Sequence, residues 1–288
     1  MTGTFETLNG NRFFTRRWGD PALPPLLMLH GFPEYSGAWD DLAAHLSHRY
    51  HCIAPDQRGY GQSWTPEGVE HYKSSYLIDD MAALIQKIDR PVTVLGHDWG
   101  AAIAYGLAMF HPHLVHHLII ANGVHPVPFQ RAVAAGGAQT AASQYIPWLR
   151  QPGSEDALAA NDFAKLLDLF SANMDLSWLT GPRLEAYKAQ WSRPGCLHAM
   201  VNWYRASQLQ VALPGQPLPI PDLTTDRLQV PQPHLLLWGS KDTALLPEST
   251  MGLEAFAPHL TRIKFSQADH WLCHQIPVEI VQVIVAWA

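Results

Sequence analysis

The chain has 288 residues, 47% hydrophobic and only 15% charged, which is enough apolar material for one large α/β domain with or without an insertion. Its net charge of −6 excludes the basic footprint of a nucleic-acid binder. No apolar run is long enough to span a bilayer, and the opening Met1-Thr2-Gly3-Thr4-Phe5-Glu6 lacks the basic-then-apolar pattern of a signal peptide.

The three cysteines, Cys52, Cys196 and Cys273, lie far apart and show neither disulfide nor metal spacing, which predicts a reducing, cytoplasmic setting. The 16 histidines are scattered. Pairs such as His116-His117 and His111-Pro112-His113 lack acidic or thiol partners at ligand spacing, so no metal is expected.

Taken in order, Phe5–Leu8, Asn9-Gly10 and Arg12–Trp18 predict a β-hairpin, Asn-Gly being the strongest short hairpin signal. Leu26–Leu29 reads as a strand ending in His30-Gly31-Phe32-Pro33-Glu34, followed by a helix carrying Trp39, Leu42, Ala43 and Leu46. Cys52–Ala54 is a strand entering the turn-rich Pro55–Ser63. Leu77, Met81, Leu84 and Ile88 mark a helix face. Val92–Leu95 is a buried strand, Ala101–Ala108 a helix, and His117–Ile120 a strand closed by Asn122-Gly123.

The alternation then stops. From Val124 to Leu228 there are helical stripes and no convincing strand: Phe163, Leu166, Leu167 and Phe170; Leu184, Tyr187 and Trp191; Leu197, Met200, Val201 and Tyr204. Leu213–Pro221, rich in proline, reads as a linker or an excursion over the surface. Strands resume at His234–Trp238 and Arg262–Phe265, and a helix over Val278–Trp287 closes the chain. The pattern predicts an α/β core, residues 1–123 and 229–288, built on a mostly parallel sheet flanked by helices, with a helical cap inserted over residues 124–228.

The stretch around which this core is organised is Val92-Thr93-Val94-Leu95-Gly96-His97-Asp98-Trp99-Gly100, a strand turning sharply into a helix with a glycine two residues either side of Asp98. That is the layout of a nucleophile elbow, whose middle residue is exposed above the sheet; glycines are needed where a side chain would strike the close-packed strand and helix. A carboxylate there, in place of the usual serine, attacks a saturated carbon and leaves an ester that water must cleave.

Cleaving that ester takes a base and an oxyanion site. Asp242 and His270 follow the last two strands and come in the order nucleophile, acid, histidine found in hydrolase triads, with His270 taking a proton from water and Asp242 orienting it. Asp269 is a rival acid, set aside because adjacent loop residues rarely aim at each other. The backbone N–H groups of Phe32 and Trp99 are the expected oxyanion donors.

The motifs His30-Gly31-Phe32-Pro33-Glu34, Gly96-His97-Asp98-Trp99-Gly100, Asn202-Trp203-Tyr204-Arg205 and Asp269-His270-Trp271 resemble the epoxide hydrolases of the α/β-hydrolase fold, particularly the soluble type. The likeness runs from about Leu26 to the C-terminus and is loose within the cap. It implies the α/β-hydrolase fold, an epoxide as the small-molecule partner, a vicinal diol as product, and no metal or organic cofactor.

It also implies that Asp98 opens the epoxide, that two cap tyrosines activate its oxygen, and that His270 with Asp242 hydrolyses the ester. Tyr204 stands at the tyrosine of the Asn-Trp-Tyr-Arg motif. Tyr145 precedes Pro152-Gly153 at the family's distance. His30, Pro33, Trp148 and Trp271 are then expected around the substrate pocket. One departure is Gln275 before Ile276-Pro277, where the family commonly carries an acidic residue.

Two alternatives share the framework. Haloalkane and haloacid dehalogenases also use the elbow Asp, but Phe32 offers no side-chain halide donor, leaving Trp148 or Trp178; Trp99 cannot replace the carboxylate-binding Arg of fluoroacetate dehalogenases. A non-catalytic receptor would keep the pocket without the chemistry, which the full set of Asp98, Asp242, His270 and both tyrosines argues against. The sequence leaves monomer or homodimer open.

Overall fold

A computed structural model describes residues 1–220 and 226–287. Eight strands form one sheet: β1 (Thr2–Leu8), β2 (Asn11–Trp18), β3 (Pro25–Leu29), β4 (His51–Pro55), β5 (Val92–His97), β6 (Val115–Ala121), β7 (His234–Gly239) and β8 (Leu260–Phe265), in the order β1-β2-β4-β3-β5-β6-β7-β8. β3 to β8 are parallel to one another; β1 pairs antiparallel with β2, and β2 with β4. The hairpin turns where expected, with both Asn9 (φ 49) and Gly10 (φ 80) left-handed, as the tight two-residue turn demands.

Every residue of β3, β4, β5 and β7 is buried, the mark of strands covered on both faces. One apolar layer packs the sheet against α2 (Ser74–Ile88) and α3 (Trp99–Phe110). The other packs it against α1 (Asp40–Leu46), with two helices from the C-terminal end of the chain.

Between β6 and β7 the described residues contain six α-helices, a 3-10 turn at Asp226–Leu228 and no named strand: α4 (Pro126–Ala134), α5 (Ala138–Ala142), α6 (Tyr145–Leu149), α7 (Ser154–Ser171), α8 (Gly181–Trp191) and α9 (Cys196–Ala206). α7 is broken at Ala160–Phe163, with three consecutive left-handed residues that helical periodicity had not signalled. The chain ends in α10 (Leu272–Gln275) and α11 (Pro277–Trp287). Leu213–Ile220 runs over the surface, where Gly215 donates to Gly136 (2.8 Å) and Leu218 to Ala134 (2.8 Å), so the proline-rich stretch straps the end of α4 and the turn after it; Pro221 lies outside the described residues. No described helix is long and apolar enough to cross a membrane.

The inter-strand helices sit over the carboxyl ends of the strands. Trp191 Nε1 donates to Pro33 O (2.7 Å), Trp203 Nε1 to Arg58 O (3.0 Å) and the Asp175 amide to Asp269 Oδ2 (2.8 Å). The crevice where ligands of parallel sheets bind is thereby roofed.

Candidate active site

Asp98 sits between β5 and α3 at φ 49, ψ −120, a strained conformation for a non-glycine residue. The turn is tight enough that a Cβ on Gly96 would lie 2.6 Å from Gly100 O and one on Gly100 would lie 2.0 Å from Leu29 O. Both contacts are with backbone, so no larger residue fits. The strain aims a carboxylate off the N-terminus of α3, where the helix dipole favours negative charge.

The carboxylate's two oxygens have different neighbours. Oδ1 accepts from the Phe32 amide at 2.7 Å. Oδ2 lies 3.7 Å from His270 Nε2. His270 Nδ1 donates to Asp242 Oδ2 at 2.8 Å, so the structure brings Asp98, His270 and Asp242 into one chain of contacts. Asp269 is occupied otherwise, accepting from the amides of Trp271 (2.9 Å) and Asp175.

Burial disfavours charge on His270, but the carboxylates of Asp242, Asp98 and Glu34 outweigh it and push the imidazole up to about 9. Burial would likewise raise Asp242. His270, the amide of Leu245 and the side chain of Asn122 hold it below its ordinary value instead.

A cavity of about 570 Å³ opens beside Asp98, and its wall includes Trp99, Tyr145 and Tyr204. Tyr145 begins α6 and Tyr204 lies in the last turn of α9; their rings are 6.1 Å apart. Burial, reinforced by the Asp98 charge, pushes both phenols above their ordinary value, so both are neutral hydroxyls. Tyr204 also packs edge-on against Phe32 and Trp99, each at 5.2 Å.

Other residues expected at the pocket lie elsewhere. His30 is fully buried beneath the elbow, its Nε2 accepting from the Gln57 amide at 3.2 Å. Pro33 is buried and anchors Trp191 through its carbonyl. Trp271 donates to Phe170 O (3.1 Å), tying α7 to the histidine loop. Trp148 lies under the Lys165 ammonium, 5.6 Å from it. None of the four is on the cavity wall. Nor is Trp178, which stacks on His274 at 3.7 Å, so neither tryptophan considered as a halide donor faces the cavity. Gln275, the departure from the family pattern, accepts from the Asp269 amide (3.0 Å) and donates to Asp175 O (3.2 Å).

Glu34 forms a hub behind His270. It is buried beneath the site and takes hydrogen bonds from His97 Nδ1 (3.1 Å), His274 Nε2 (2.7 Å) and Tyr187 Oη (3.0 Å), while His97 Nε2 donates to His270 O at 2.9 Å. Despite its burial, His274 and His97 hold its carboxyl far below the usual range. The only hint was its place in the His-Gly-Phe-Pro-Glu run; nothing marked Tyr187 or His274 as its partners. Asn122, which the sequence marks only as a strand terminator, grips Asp242 Oδ2 at 2.6 Å and the backbone of Gly239. Among the described residues no group of three or more His, Cys, Asp or Glu side chains is placed to hold a metal.

Comparison with known proteins adds a family to this geometry. The α/β hydrolase fold family matches residues 24–275. The Bacillus subtilis AB hydrolase superfamily protein YfhM is 32% identical over 286 residues, covering 98% of this chain and 96% of the relative. Epoxide hydrolase 4 of Mus musculus is 31% identical over 288 residues, covering 97% and 76%. A solved structure from work on epoxide hydrolases in metagenomes of hot environments superposes with a TM-score of 0.88 at 32% identity, covering 100% of this chain and 99% of that one. The chain belongs to the α/β hydrolase fold family and, within it, to the epoxide hydrolases.

Proposed function

We propose that the protein converts an epoxide and water to a vicinal diol through a covalent ester on Asp98, with residues 124–228 as the cap that closes the site. The observation that carries the mechanism is the shared cavity wall: a carboxylate with one oxygen already engaged by a backbone amide shares it with two neutral tyrosines, Tyr204 buried and Tyr145 half-buried.

In the first step Asp98 Oδ2 attacks an epoxide carbon. The new O–C bond forms as the ring C–O bond breaks, and the electron pair goes to the ring oxygen. An alkoxide is a poor leaving group without a proton, and Tyr145 and Tyr204 supply hydrogen bonds and that proton, a contribution of about 10²–10⁴-fold. Esterification removes the Asp98 charge. One of the charges that raises His270 disappears with it, so the imidazolium gives up its proton, which restores the tyrosine.

In the second step neutral His270 takes a proton from water as the water oxygen adds to the Asp98 carbonyl carbon. The oxyanion that develops at Oδ1 is held by the amides of Phe32 and Trp99, each such donor worth about 2.7–4 kcal/mol. Collapse breaks the ester bond, and the remaining water proton passes to the departing diol oxygen. The Asp98 carboxylate and His270 imidazolium are regenerated. No step requires a metal or organic cofactor.

The test is His270→Gln with styrene oxide. Intact mass spectrometry should show the protein heavier by one substrate molecule, on a peptide containing Asp98, with diol release nearly abolished. Lost turnover with no adduct would refute the two-step path. Neither Trp148 nor Trp178 is on the cavity wall, so no cap tryptophan stands beside Asp98 as a second halide donor.

A further inference from the structure

The cavity is long rather than round. Its wall follows one stripe of α3, through Trp99, Ala102, Gly106, Met109 and Phe110, from the nucleophile to the other end of the helix. That is a path of about 18 Å from Asp98 to Phe110 at the rise of an α-helix. The far end reaches solvent at Phe110, which is 45% exposed. Asp98 is the sole acidic residue on the wall, which carries no lysine, arginine or histidine among the described residues. Gln130, also on the wall, is spent on a reciprocal pair with the Gln210 backbone (2.9 Å each way), and the other polar side chains there, Ser74, Ser207, Gln208 and Gln210, are half-buried or exposed rather than enclosed.

Gly106 stands midway. Glycine is unfavourable inside a helix, and here the space around it explains its presence. A Cβ would fall 2.2 Å from Ile78 Cδ1 on α2. Ile78 itself lines the channel, so any larger residue drives it, or the new side chain, into the passage.

We propose that the protein takes uncharged terminal epoxides with long unbranched apolar tails, the tail lying along α3, and that Gly106 sets the tail length admitted. This rests on the epoxide-opening reading above. The test compares terminal epoxyhexane and epoxydodecane, each below its solubility limit, by diol formation. The expected kcat/KM is at least about tenfold higher for the longer substrate, since each methylene buried favours binding by up to about fourfold. Gly106→Leu should reduce that ratio about tenfold. Met109→Trp, in the half-buried last turn of α3, narrows the far end without crowding Ile78 and should reduce it too. Diol from epoxyhexane with no dependence on chain length, or a ratio unmoved by both variants, would overturn the proposal and leave the epoxide chemistry standing. No diol from either substrate would remove that chemistry and the proposal together.

Discussion

The groups that face one another across the cavity are held by two different kinds of structure. Asp98, Asp242 and His270 follow the ends of β5, β7 and β8, three parallel strands whose spacing is set by backbone hydrogen bonds, and the elbow and loops add backbone contacts within a few residues of each. Tyr145 and Tyr204 sit on α6 and α9, which have no ladder to register them. Their placement depends on side chains that reach between helices. The sheet side should therefore tolerate loss of one polar tie with its geometry intact and fail chemically, whereas the helical side should lose geometry first.

The largest expected effect tests the sheet side. Asp242→Asn should lower steady-state turnover by about 10⁴-fold, the scale of the corresponding change in serine-protease triads, while the adduct still forms because the nucleophile and tyrosines are untouched. The same variant tests the electrostatics. His270 is raised from 6.5 to about 9 in the fold, so its imidazolium stabilises the protein fully below about 6.5 and that contribution is lost as pH rises through about 9. The loss is on the order of 3 kcal/mol. Chemical denaturation across that window should show it in the wild type and much less of it in Asp242→Asn. A flat wild-type profile would mean that the imidazole is neutral in the folded state.

Next come the tyrosines. Tyr204→Phe and Tyr145→Phe should each slow adduct formation about 10²-fold, and the pair together more than either, with stopped-flow in a His270→Gln background isolating that step. Breakdown of an adduct already formed should be nearly unaffected. Equal damage to both steps would assign the phenols to packing.

This contrast also governs what could be read without coordinates. The sheet, its hairpin and the elbow were legible because local rules specify them: all-buried apolar strands, an Asn-Gly turn, and glycines at Gly96 and Gly100 where backbone approaches within a side chain's reach. Asp242 and His270 could be placed because a residue after a parallel strand has one crevice to face. Tyr145 and Tyr204 were reached only through family resemblance; helical periodicity marked Tyr204 as one more buried residue of its stripe. Trp148 and Trp271 show the limit of that route. Their type and neighbourhood suggested pocket walls, but packing against Lys165 and Phe170 engages them. The Glu34 hub was invisible because its partners lie 63, 153 and 240 residues away in sequence.

The smallest effect is the sharpest probe of the helical side. Arg150 closes α6, the helix that Tyr145 opens. Its Nε donates to the carbonyl of Tyr204 itself at 2.9 Å, and its Nη2 donates to Ser207 O at 3.1 Å, at the end of α9 where a cation also suits the helix dipole. A single side chain thus spans the two tyrosine-bearing helices. Arg205 fastens α9 from another direction, to Glu155, Gln151 and Ser154, so the helix should stay folded without Arg150 but shift its last turn. Arg150→Gln should cost about 1–2 kcal/mol of stability from the lost charge-assisted hydrogen bonds and slow adduct formation about tenfold, leaving adduct breakdown unchanged. Arg150→Lys, which keeps the charge but not the two-pronged grip, should recover stability more than rate. If stability falls and adduct formation does not slow, the tyrosines are registered by the aromatic contacts of Tyr204 with Phe32 and Trp99 instead, and the helical side is as firmly placed by packing as the sheet side is by its ladder.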